Sequence, residues 1–135
     1  MKDLQAERAL SLIFISHDIA LVRYMADHVA LFYRGHLVEA GPADAVFAPP
    51  YHPYTRMLLA SVPDPLAPAR NSPARDAGAA PPRDTDRGCP FAARCAWRID
   101  GVCTELEPPI LESSDGHRIA CHLKLRELPT EIEVA

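Results

Sequence analysis

The residues with chemical potential are one histidine and four cysteines. His17 lies in Ser16-His17-Asp18, directly after the unbroken apolar run Leu12-Ile13-Phe14-Ile15. A strand points successive side chains to opposite faces, so a run that is apolar on both faces predicts a buried parallel strand. Asp18 can cap a following helix, and Ile19, Val22, Met25, Ala26 and Val29 recur behind it at helical spacing. His17 is thereby expected where a central strand ends and a helix begins, the edge at which open α/β sheets bind ligands and helix N-termini favour anions. A lone histidine at a strand end serves equally as a local hydrogen-bonding group.

Cys89, Cys95, Cys103 and Cys121 follow the spacing C-x5-C-x7-C-x17-C, without the C-x2-C knuckle of a zinc ribbon. Four thiolates are a complete set for a tetrahedral Zn or a cubane iron–sulfur cluster. Unligated core or redox thiols and disulfides are the other readings. His117 and His122 keep a mixed Cys/His zinc site open.

The chain that must position these groups has 135 residues, 48% of them hydrophobic, with 14 Lys and Arg against 18 Asp and Glu. The mild acidity gives no electrostatic reason to expect nucleic acid as a partner. No apolar stretch approaches the roughly 20 residues that span a bilayer, and the charged opening Met1-Lys2-Asp3-Leu4-Gln5-Ala6-Glu7-Arg8 lacks the apolar core of a signal peptide. A cytoplasmic setting is expected, in which cysteines stay reduced or metal-bound. A disulfide-stapled secreted protein would need an export signal.

Residues 2–10 read as the last turns of a helix. After the strand at 12–15 and a helix from Asp18 to about His28, the runs Val29–Tyr33 and His36–Ala40 flank Arg34-Gly35 and predict a β-hairpin. Gly41-Pro42 closes it. Ala43–Phe47 is a short helical turn whose Val46 and Phe47 can pack back, and Ala48-Pro49-Pro50 breaks it. His52-Pro53-Tyr54-Thr55 opens a further helix with proline at a first-turn position, and Val62-Pro63 ends it. All 14 prolines fall after residue 41. Residues 64–87 carry too few large apolar side chains to offset their ordering entropy and read as a flexible linker. The cysteine-bearing tail, 88–135, has too small a core to be secure without a metal, disulfides or a partner.

The order Ser16-His17-Asp18, helix, hairpin Leu31–Tyr33 and His36–Ala40 around Arg34-Gly35, then the Glu39-x-Gly41-Pro42 exit, resembles the C-terminal end of an ABC-transporter ATPase domain. His52-Pro53-Tyr54-Thr55 before Arg56-Met57-Leu58-Leu59 resembles the extension found in the oligopeptide, dipeptide and nickel importer ATPases. Gly88-Cys89-Pro90-Phe91-x-x-Arg94-Cys95, followed by Cys103 and Cys121-His122, is similar to the cysteine motif of the same subunits.

The resemblance implies an α/β fold: the C-terminal piece of a P-loop ABC ATPase domain (parallel strand, helix, β-hairpin) at 1–63, the linker at 64–87, and a small irregular cysteine-rich module at 88–135. It implies that His17 is the switch histidine contacting the γ-phosphate of ATP, with ATP and Mg²⁺ as cofactors of the intact subunit. It implies a [4Fe-4S] cluster on Cys89, Cys95, Cys103 and Cys121, with Zn as the alternative. The implied partners are a second ATPase subunit, two membrane permeases and an extracytoplasmic peptide-binding protein, with the chain peripheral on the cytoplasmic face of the membrane. No glycine is followed by lysine, so the phosphate-cradling G-x-x-x-x-G-K-[ST] loop is missing. The leucine-serine-glycine-glycine signature and the Mg²⁺-binding aspartate strand are missing as well. ATP hydrolysis by this chain alone is therefore not expected. A reading of a different class is a small metal-binding interaction module that never meets nucleotide.

Overall fold

In the computed structural model, Arg8, residues 10–62 and residues 87–132 are described. The expected linker, apart from Arg87, and most of the expected N-terminal helix lie outside those residues.

Helix α1, Ile19–Met25, starts as its sequence demands. Asp18 is the N-cap, and its Oδ1 accepts the Leu21 amide at 3.0 Å. The helix stops at Met25, before the expected end near His28, because His28 and Val29 are already paired in strand β1 opposite Pro42 and Gly41. Strand β1, His28–Tyr33, and strand β2, His36–Pro42, form the predicted antiparallel hairpin. Its tip places both Arg34 (φ 50°) and Gly35 (φ 84°) in the left-handed region, the geometry that makes a two-residue turn match strand twist. A register shift between Leu31 and Phe32 bulges β2 around Val38.

The short helix α2, Ala43–Val46, and Phe47 fold back on the hairpin, where Val29, Leu31, Val38, Ala43, Val46 and Phe47 make the first core. Helix α3, Pro53–Ala60, follows, with Pro53 in its first turn. Beyond residue 87 the chain makes a 3₁₀ turn at Ala92–Arg94, strand β3 at Ile110–Glu112, strand β4 at Arg118–Ala120 and a second 3₁₀ turn at Leu125–Glu127.

The strands form one sheet in the order β1-β2-β4-β3, and every pairing is antiparallel. Strand β4 docks on β2 through Glu39 opposite Ile119 and Ala40 opposite Arg118. Residues on both sides of the 63–86 stretch thus share a sheet.

The expected parallel strand at Leu12–Ile15 is not formed. Those residues form no regular secondary structure, and Ile13 and Ile15 are 96% and 99% exposed. A strand exists only against a neighbour's N–H and C=O groups. Among the described residues none runs alongside this stretch, and β2 already has β1 on one edge and β4 on the other.

Candidate functional site

The His-Pro-Tyr-Thr stretch is the hub where the hairpin, α3 and the cysteine-bearing residues meet. His52 is the N-cap of α3, its Nδ1 accepting the Tyr54 amide at 3.1 Å. The ring is 1% exposed, and burial lowers its pKa to about 4, with a hydrogen bond to the Ala120 backbone opposing part of the shift. It is therefore neutral at physiological pH. Tyr33 of β1, Tyr54 of α3 and Phe91 stack edge-on, with centroids 4.9 Å apart for Tyr33 and Tyr54 and 5.2 Å for Tyr33 and Phe91. Phe91 thereby anchors the first two cysteines against the hairpin.

Below this aromatic group lies a buried carboxylate. Glu39, 1% exposed in β2, directs Oε1 to His117 Nε2 at 2.6 Å. Its Oε2 accepts the Thr55 hydroxyl and, at 3.3 Å, the His52 amide. A carboxylate taken out of water persists only where its lone pairs are filled, and here three donors from α3 and the β4 approach fill them. Sequence reading singled out Glu39 and Thr55 as parts of motifs and His117 as a spare ligand but gave Glu39 no buried role. The only available signal was a charged residue flanked by Val38 and Ala40 in an otherwise apolar strand.

The four cysteines are free thiols, Cys89, Cys103 and Cys121 buried and Cys95 half-buried. Cys89 N–H donates to the Cys103 carbonyl at 2.8 Å, and Ile99 N–H to Cys103 Sγ at 3.4 Å. Gly88 permits the first contact. At φ 117° a Cβ on it would lie 2.7 Å from the Cys103 oxygen. Burial pushes the Cys95 and Cys121 thiols up to about 11 and raises Cys89 as well. Neighbouring cysteines add to each shift: Cys121, Cys89 and Cys103 act on Cys95, and Cys89 and Cys103 act on Cys121. The structure therefore brings all four within electrostatic reach of one another, although 17 residues separate the last two in sequence.

In number and chemistry this donor set fits a tetrahedral or cubane metal group. As placed, it is not a ligand set: among the described residues no three His, Cys, Asp or Glu side chains come together to hold a metal ion. The histidines that kept a mixed zinc site open have other partners. His117 meets Glu39, and His122 Nε2 meets the Leu106 carbonyl at 2.9 Å.

His17 lies apart from this hub, exposed in a bend just before the Asp18 cap. The Asp18 amide there bonds Ser16 Oγ at 3.0 Å, so the tripeptide forms a local turn ahead of α1.

Residues 38–103, from β2 through α3 to Cys103, match the family model described as oligopeptide/dipeptide transporter, C-terminal region. The chain carries that C-terminal region. It is similar to a probable peptide ABC transporter ATP-binding protein of Sinorhizobium fredii, 42% identical over 92% of this chain and 35% of the relative. The dipeptide transport ATP-binding protein DppF of Haemophilus influenzae is 38% identical over 90% of this chain and 37% of its own length. A putative peptide import ATP-binding protein of Brucella abortus is 41% identical over 91% and 36%. The chain thus spans about a third of the length of the curated relatives it matches. The hairpin exit, the His-Pro-Tyr-Thr helix and the first three cysteines all fall inside the matched transporter region.

Proposed function

We propose that this chain is the C-terminal part of the ATP-binding subunit of an ABC importer for peptides. The observation that carries the reading is the similarity running through nine-tenths of the chain to proteins named as peptide ABC transporter ATP-binding proteins. In the intact subunit His17 contacts the γ-phosphate and the attacking water of bound MgATP, at the helix edge where its sequence places it. The exposed Ile13 and Ile15 belong to the strand that the rest of the ATPase sheet completes. The partners are a second ATPase subunit, two membrane permeases and an extracytoplasmic peptide-binding protein, and the chain sits at the cytoplasmic face of the membrane. None of the described helices is long and apolar enough to cross a membrane.

Cys89, Cys95, Cys103 and Cys121 are the donors for a [4Fe-4S] cluster, with zinc the alternative. A bound group supplies a covalent staple for a tail with a small core. What supports this is that Cys89, Cys95 and Cys103 pack beside Phe91 while Cys121 lies within electrostatic reach of all three; binding draws the four closer than they stand here.

The test is to join the chain to the upstream sequence of such a subunit and measure ATP turnover. His17→Ala is expected to lower turnover by about a hundredfold, as loss of one charge-stabilising donor does. Unchanged turnover would overturn the role of His17. Iron, sulfide and zinc analysis after anaerobic purification decides the metal, and absence of all three removes the staple.

A further inference from the structure

The pairing of β4 with β2 rests on two residue pairs, Glu39 with Ile119 and Ala40 with Arg118. So short a ladder specifies its register weakly, and a slip of one residue turns every side chain of β4 to the opposite face. That register decides where Cys121 points. His117, Ile119 and Cys121 alternate with the more exposed Arg118 and Ala120, and the three are 4%, 0% and 8% exposed. One face of the strand thus carries the imidazole, the aliphatic side chain and the last thiol inward together.

We infer that Glu39, His117 and Thr55 are positioning residues for the thiol group: their buried contact pins the register of β4 and so aims Cys121 at Cys89, Cys95 and Cys103.

Three contacts converge on this assignment. His117 meets Glu39 Oε1 at 2.6 Å from a position two residues before Ile119, the diagonal neighbour of Glu39 across the ladder. Thr55 and the His52 amide hold Oε2 of the same carboxylate, fixing its orientation from α3. Gly41 lets the strands approach, since a Cβ there would lie 3.0 Å from the His117 Cα. In a one-residue slip Glu39 would pair with Arg118 or Ala120 in place of Ile119, and His117 would leave its diagonal place beside the carboxylate and lose its acceptor. A buried imidazole without its acceptor carries a desolvation penalty, and the slip also turns Ile119, 0% exposed, out of the core, so the slipped state is disfavoured well beyond what two backbone pairs achieve. The inference concerns sulfur placement and holds whether or not a metal binds.

The experiment is alkylation of each cysteine in the full chain under reducing, chelator-treated conditions, followed site by site by peptide mass spectrometry. In Glu39→Gln and His117→Gln, loss of a hydrogen bond to a charged group is expected to speed alkylation of Cys121 about tenfold or more. Cys89 and Cys103, held by Phe91 and Gly88, are expected to keep their rates. Thr55→Val should act in the same direction and Thr55→Ser should restore slow alkylation. Unchanged Cys121 reactivity in the first two variants overturns the inference, and so does a uniform rise at all four thiols, which marks general loosening. If Glu39→Gln does not fold, His117→Gln and the Thr55 pair decide by the same criteria.

Discussion

His117 Nε2 stands 2.6 Å from Glu39 Oε1, joining residues 78 positions apart in the chain, and both side chains are almost wholly removed from solvent. This contact ties the hairpin to the strand that leads into the last cysteine. Truncating His117 leaves Oε1 of the buried carboxylate without its partner, with only Thr55 and the His52 amide on Oε2. His117→Ala is therefore expected to destabilise the chain by about 3 kcal/mol, a large part of an ordinary domain's stability. Urea denaturation with an unchanged m-value checks it, and a loss below about 1 kcal/mol would show the pair to be dispensable.

Gly88→Ala is expected to lower stability by more than about 1 kcal/mol, because the new methyl meets the Cys103 carbonyl and Thr104 backbone at a φ that only glycine adopts freely. Gly101→Ala is the matched control: its φ is 76°, but nothing lies within 4 Å of the added Cβ. Comparing the two melting temperatures separates clash from backbone strain.

The buried neutral His52 makes stability depend on pH. Its folded pKa, about 4, lies below the 6.5 of the free side chain, so between these values the unfolded chain binds more protons. The contribution is fully present above about pH 6.5, falls as pH drops, and is lost once pH reaches about 4, for a total of roughly 3 kcal/mol. Denaturation midpoints measured from pH 7.5 to 4 should show this slope. His52→Asn, which keeps an N-cap acceptor, should flatten it.

The thiols predict the opposite limb. Cys95 and Cys121, pushed from 9.0 to about 11, favour the folded state below about pH 9, and that preference is lost as pH rises toward 11. At pH 8 the metal-free folded chain should react with an alkylating agent about a hundredfold more slowly at these two sites than the same chain in urea. Equal rates would show that the two thiols are not desolvated.

Much of the local structure was legible in the sequence. Asp18 as a cap, the Arg34-Gly35 turn between two β-rich runs, the packing of Val46 and Phe47, and Pro53 at the start of α3 all depend on neighbours within a few positions. The strand expected at Leu12–Ile15 did not follow, since an apolar run records a preference for burial but not whether a partner strand is at hand. The thiols were legible as a set of donors, yet their arrangement was not, because irregular segments carry no periodicity from which distances can be read.

The sequence by itself determined the hairpin, the capped helices, the transporter-type His-Pro-Tyr-Thr motif and the supply of four thiols. Only the tertiary structure decided that Glu39, a strand residue resembling any solvent-facing acid, is the buried acceptor for His117, Thr55 and the His52 amide. It also decided that β4 crosses to β2 and carries Cys121 toward the other three. The reason is physical: capping and turns are satisfied within a few residues of chain, whereas a buried charge and a two-pair ladder are satisfied only by groups that folding brings from far along it.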